Sequence, residues 1–219
     1  MATYVEGTGV TRDAEPVGLL TEGAAGIAVI ALAIIALAGV SVDALASIAT
    51  IVIGVGLMVQ GFNTAGESSR VMVGTGAMAQ APEWSGEIVV DLIGGLAGIV
   101  LGILALVGVH AFYLMSAALI VFGAALLLSG AMAMQSRAMP VMAAGATQIV
   151  AYRGGSATGG MEVLVGIAAA VLGILSLVMA ATVGGVLILV GFIAVGATLL
   201  TVSATFSTAL LRMVTARTA

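Results

Sequence analysis

Residues 92–108, LIGGLAGIVLGILALVG, run for seventeen positions without an ionisable side chain, and near copies of the stretch stand on either side of it. It opens behind Asp91. The upstream copy, residues 23–39, opens behind Glu22, and the downstream copy, residues 163–180, opens behind Glu162. With the three carboxylates in register, a matching apolar phrase begins eleven residues later each time: AIIAL at Ala33, GILAL at Gly102 and GILSL at Gly173. Any fold for this chain has to house three such units.

An apolar run of this length needs an apolar solvent. At 62% hydrophobic and 7% charged residues, with a mean hydropathy of +1.30, the chain has a membrane composition. A spanning helix takes about 20 mostly apolar residues. Six windows qualify, near 18–40, 45–64, 89–109, 112–133, 160–181 and 183–206. The first 17 residues hold Glu6, Asp13 and Glu15 in place of a basic start and a short apolar core, so the first span is expected to be retained. The fold expected is an all-α membrane protein: six transmembrane helices as three repeated helical hairpins in a pseudo-threefold arrangement. The tails are 1–17 and 213–219, the hairpins 18–70, 89–137 and 160–212, and the connections 71–88 and 138–159. The connections are read as partly helical continuations of the second and fourth helices that end in loops.

All six arginines (Arg12, Arg70, Arg137, Arg153, Arg212 and Arg217) fall in the tails or near the two long connections, and none in the three tight turns. The positive-inside bias therefore predicts cytoplasmic N- and C-termini and outward-facing turns. The bilayer is a partner by composition, and a bacterial inner or intracytoplasmic membrane is the expected location. Absent residues exclude chemistry. Without cysteine there are no disulfides or thiolate ligands, and without lysine no Schiff base to a cofactor. A single histidine rules out bis-histidine haem ligation, and a net charge of −4 with no basic cluster gives a nucleic acid nothing to hold. No cofactor and no enzymatic activity are expected.

Small residues mark where helices touch, since lipid supplies little hydrophobic drive between them. Gly94, Gly98 and Gly102 form a ridge at four-residue intervals, echoed by Ala169 and Gly173. On the return limbs Gly54 and Gly61 are seven apart, as are Gly123 and Gly130, and Gly196 with Ser203 keeps the spacing. Seven residues are two helical turns, so each pair shares a face.

Folding each hairpin about its own turn brings Gln60 and Gly61 level with Glu22, Ser129 and Gly130 with Asp91, and Val202 and Ser203 with Glu162. Glu22, Asp91, Glu162, Gln60, Ser129 and Ser203 thus define a polar layer able to bind a cation or relay a proton. The preferred reading is simpler: a carboxylate in the first turn of a helix meets the positive end of the macrodipole. His110 in the second turn is the residue type suited to sensing external acidity, and an incidental turn histidine is the preferred reading there too. RGGSATGG at 153–160 is read as a flexible loop, since a phosphate-binding Walker loop needs a lysine. Met132, Met134 and Met139 are the nearest approach to a soft-metal cluster, and none is expected to hold a metal.

The phrase GIVLGILALV, a tight turn and then LIVFGAALLLSG resembles the hairpin unit of the HdeD-like family of bacterial inner-membrane proteins, over about 22–212 in three copies. The turns here, AGVSVD, VGVHAF and MAATVG, lack the Trp-Pro-Gly-like pattern of that family's repeats. The resemblance implies a six-span membrane protein linked with acid or general stress and brings no catalytic residues. The leading functional expectation is a non-enzymatic protein acting by assembly, as a homo-oligomer or an accessory subunit of a membrane complex. The competing one is a channel or carrier for protons, cations or a small neutral solute.

Overall fold

In hydrocarbon every backbone N–H and C=O must be bonded within the protein, so long apolar runs free of proline become helices. The computed structural model has six: α1 Ala14–Leu37, α2 Val42–Gly74, α3 Gly86–Leu106, α4 Ala111–Arg137, α5 Ile149–Val178 and α6 Gly184–Arg217, with no strand among the described residues. The structure describes the backbone of residues 14–74, 86–137, 149–180 and 183–217, and the side chains of 21–63, 86, 88–134, 159–180 and 183–204. Five helices are long and apolar enough to cross a membrane, and α1 adds a shorter apolar segment, Thr21–Leu37. The chain is a multi-pass helical membrane protein. Ile27, Ile93, Leu96, Leu164 and Val171, all on α1, α3 and α5, are more than half exposed, as side chains facing lipid are.

Each helix packs on its neighbours in sequence, and α1 also packs on α6, which closes a ring. Inside that ring α2, α4 and α6 touch one another. Their side chains fill the centre: Ile53, Leu57, Leu119, Phe122, Leu126, Phe192, Val195 and Leu199 are wholly buried. The tightest approaches lie between each of these inner helices and the outer helix that follows it round the ring. A methyl group on Gly54 would sit 2.6 Å from the carbonyl oxygen of Gly95, and one on Gly95 would sit 2.6 Å from that of Gly54. Gly123 and Gly166 face each other in the same way at 2.7 Å, and Gly26 would meet the Gly196 carbonyl at 2.7 Å. Side chains this small let backbones meet at distances that reward dispersion and weak polar contacts, the attractions that remain between helices in lipid.

The first two turns share a backbone. Gly39 and Gly108 have φ of +89° and +90°, and two residues on Ser41 and His110 have φ of +39° and +43°. Each glycine ends its helix in the left-handed region. At the second turn Gly108 N–H donates to Ala105 and Val109 N–H to Leu104, which is the Schellman pattern. The third hairpin is longer: 32 residues separate Glu22 from Gly54 and Asp91 from Gly123, but 34 separate Glu162 from Gly196.

Several sequence boundaries move. Residues 14–17 belong to α1, not to a tail, and α6 runs past Arg212 to Arg217, while α2 continues past Arg70 to Gly74 as the reading of the first connection expected. RGGSATGG is helical, as the early part of α5, where a flexible loop was expected. At its end Gly159 brings α5 within 3.4 Å of the Gly130 carbonyl on α4, measured from a methyl built on Gly159. Glycine costs helix propensity in isolation, and close interhelical packing offsets that cost. Pro82, Trp84, Met139 and Pro140 lie outside the described residues.

Candidate functional site: a buried carboxylate layer

None of the three carboxylates stands in a first helical turn. Glu22 is eight residues beyond the start of α1, Asp91 five beyond that of α3 and Glu162 thirteen beyond that of α5. The macrodipole acts only on the terminal turn, so the preferred sequence reading of these residues fails. They are also buried, with exposures of 1%, 0% and 5% for Glu22, Asp91 and Glu162. Gln60, Ser129 and Ser203 are buried beside them.

The neighbours differ from those obtained by folding each hairpin on itself. Gly61 packs on Asp91, and a methyl there would lie 3.2 Å from the Asp91 Cβ. Gly130 packs on Glu162 at 3.0 Å on the same measure, and Gly23, next to Glu22, would meet the Ser203 Oγ at 2.9 Å. Gly61, Gly130 and Ser203 of the inner helices therefore each face the outer helix that follows round the ring, because that is where the Gly54–Gly95, Gly123–Gly166 and Gly196–Gly26 crossings draw the backbones together.

One long side chain crosses the layer. Gln60 Nε2 on α2 donates to Glu162 Oε1 on α5 at 3.0 Å, inside the protein. The serines turn back on their own helices, Ser129 Oγ donating to the Leu126 carbonyl at 3.4 Å and Ser203 Oγ to that of Leu200 at 2.9 Å. Glu22 lies within electrostatic reach of Glu162, and the Asn63 amide stands close to it. Even so, Glu22 Oε1 and Asn63 Nδ2 make no hydrogen bond of standard geometry among the described residues. Asn63 escaped the sequence reading. It sits three residues after Gln60, one turn along the same face, and that spacing was the available signal.

Toward the turns the layer is closed off. Leu57, Leu126 and Leu199, followed by Ile53, Phe122 and Val195, are at 0% exposure, so water does not reach them. Nearer the turns a second buried polar contact joins α4 and α5, Ser176 Oγ donating to Ser116 Oγ at 2.9 Å.

The glycine ridge of α3 serves two neighbours. Gly94 meets Ala125 and Gly98 the ring of Phe122, both on α4, while Gly102 lies against Ile51 and the Ser47 carbonyl on α2. Gly173 of α5 repeats the Gly102 contact, against Ile120 and the Ser116 carbonyl. Gly26, Gly95 and Gly166, the outer partners of the tight crossings, were not singled out from sequence. Each stands four residues after a carboxylate, at Glu22, Asp91 and Glu162.

Among the described residues no three of His, Cys, Asp and Glu come together to hold a metal ion. Met132 packs on Gly86 and Met134 on Gly159. His110 caps α4, its carbonyl accepting the Tyr113 and Leu114 N–H groups. No family model, curated protein or solved structure matches this chain.

Proposed function

We propose that this protein is a non-enzymatic membrane protein that binds a proton or a monovalent cation in its buried carboxylate layer, loaded from the end of the bundle opposite the turns. The observation that carries this reading is Glu22 Oε1, buried and without a hydrogen-bond partner among the described residues, within reach of the Glu162 charge. Removing a carboxylate from water costs several kcal/mol unless a positive charge or donors compensate. Gln60 supplies Glu162 with a donor. No arginine or lysine occurs in the sequence between 23 and 59, 92 and 133 or 163 and 204, so the compensating charge has to come from outside these segments. Ionisable groups at membrane depth are expensive, and function is the usual reason that they are kept.

The sealed centre favours a carrier or an acid-responsive component over an open pore. The ridge glycines are occupied by contacts inside the chain, which removes the support they gave to assembly between chains. For the architecture we infer six spans in three hairpins about a pseudo-threefold axis. The closed ring, the three glycine crossings and the matched turns at Gly39 and Gly108 support it. Positions of the arginines support a cytoplasmic placing of both termini and of the end of the bundle that holds the layer. An acid-linked role, implied by the HdeD-like resemblance, suits a layer that takes up protons.

The test is proton and cation uptake by vesicles containing the full-length protein, read with an internal pH dye and by isotopic sodium and potassium. Wild type is expected to respond to an imposed gradient, and the folded Glu22→Gln, Glu162→Gln double variant to lose the response. Equal responses from the two proteins, or none from wild type together with no carboxyl protonation change in its infrared spectrum, would remove the proposal.

A further inference from the structure

The opposite end of the molecule carries a separate feature. A pocket of about 460 Å³ opens beside the second turn, between the start of α2, the end of α3 and the start of α4. Asp43, Leu106, His110, Phe112 and Tyr113 line it. We propose that this pocket binds a small organic cation with an ammonium head, free or as the headgroup of a lipid.

Charge is the first argument. Asp43 is the single Asp or Glu in the segments 23–59, 92–133 and 163–204, which contain no Arg or Lys at all. The turn end therefore presents one carboxylate and no fixed cation to answer it. Asp43 is exposed in the first turn of α2. The pocket is bordered by the C-terminal end of α3 and the N-terminal ends of α2 and α4, so the helix dipoles give a cation no net advantage and the charge that would draw it is that of Asp43. An anion finds no arginine or lysine here, and a bare metal ion finds no group of three ligands among the described residues.

Aromatic geometry is the second. Tyr113 is 56% exposed, a large fraction for a ring with a packed neighbour. Phe112 holds it in place by an edge contact, the rings 5.6 Å apart and at 84° to each other, and the His110 ring lies 6.4 Å away on a tilted approach. Tyr113 and Asp43 line the same pocket, and an aromatic ring together with a carboxylate is what an alkylated ammonium recognises, through cation–π attraction and contact with its methyl groups.

The turn itself is the third argument. His110 is held at φ +43°, a region that non-glycine residues adopt at a cost, by two hydrogen bonds to its carbonyl. From this turn His110 lines the pocket. The first turn has Ser41 at the equivalent place with φ +39°, and the third has Val183 there, so the imidazole occurs once.

The experiment uses the full-length protein in an uncharged maltoside detergent, titrated with choline and with tetramethylammonium and followed by saturation-transfer NMR. Saturable binding is expected, at least tenfold weaker in Asp43→Asn and in His110→Arg, which places a cation in the pocket. Tyr113→Leu should weaken it severalfold, Tyr113→Phe should keep it, and Glu22→Gln at the far end should leave it unchanged. Thermal unfolding of each variant verifies that it is folded. In phosphatidylglycerol vesicles with and without phosphatidylcholine, loss of choline binding only when phosphatidylcholine is present identifies the lipid headgroup as occupant. Equal binding in both identifies the free cation. Absence of saturable binding to either cation in detergent, or equal affinity in wild type and both charge variants, overturns the proposal.

Discussion

Gln60 and Glu162, 102 positions apart in the chain, are joined by a buried hydrogen bond in which the amide Nε2 donates to the carboxylate Oε1 at 3.0 Å. The bond spans two helices that are not neighbours in the ring, and only a side chain as long as glutamine bridges that gap. A buried acceptor that loses its donor bears its own desolvation cost. Gln60→Leu is therefore expected to lower stability by about 1–3 kcal/mol, read as an earlier thermal unfolding transition in mild detergent. Gln60→Glu sets a carboxylate against Glu162, which already has Glu22 within electrostatic reach, and is expected to lower it further. A leucine variant as stable as wild type would show that the bond contributes nothing.

Glu22 should behave in the opposite sense. Its Oε1 has no partner among the described residues and Glu162 lies within reach, so its charge is a burden on the fold. Glu22→Gln keeps the shape and has no proton to lose, and unlike most core substitutions it is expected to stabilise, relative to wild type, where the wild-type site is deprotonated and unfilled. Raising the concentration of a cation that fills the site should stabilise wild type and leave Glu22→Gln unmoved, because only the native site gains a ligand. Thermal unfolding at several concentrations of sodium and potassium checks both statements.

The carboxylate layer was legible in the sequence because Glu22, Asp91 and Glu162 each precede a matching apolar phrase by the same interval. Its environment was not. Placing these residues in a first turn assumed that the helices begin where the apolar windows do, whereas α5 starts at Ile149 and carries Glu162 far past its first turn. Apolar composition reports where lipid begins and says little about where a backbone stops being helical. Folding each hairpin about its own turn gave the height of Gln60 and Ser129 and could not give their lateral neighbours, since every inner helix lies beside two outer ones. The glycines four residues after each carboxylate held that information. They were obscured in a chain with 31 glycines, where any one spacing is easily met by chance. The Gln60–Glu162 bond has no counterpart in local spacing at all.

Those glycines make a sharp prediction. At Gly54 and Gly95 an added methyl meets the opposite carbonyl oxygen at 2.6 Å, and backbone yields less readily than a side chain. Gly54→Ala, Gly95→Ala and Gly166→Ala are each expected to cost about 1–3 kcal/mol, the usual result of overpacking. Gly160 and Gly185 also sit in helices, yet nothing lies within 4 Å of a methyl placed on them. Alanine there should be neutral or stabilising by up to about 1 kcal/mol, since it is the better helix former. Unfolding transitions for the five variants should separate into two groups. A single continuous spread would mean that the crossings are not where the helices hold together.

The matched turns allow the last test, in which space plays no part. A methyl on Gly39 or Gly108 would meet nothing within 4 Å, so any loss on substitution comes from the backbone alone. At φ of +89° and +90° an L-residue is strained. Gly39→Ala and Gly108→Ala are each expected to cost about 1–2 kcal/mol, nearly equal because the two backbones are alike. The two turns are separate, so the double variant should lose close to the sum of the single losses. Ser41→Gly and His110→Gly relax the second positive-φ residue of each turn and should recover part of that loss. Thermal unfolding of the single and double variants in one detergent measures all of these, and a markedly larger loss at Gly108 than at Gly39 would show that the second turn does something the first does not.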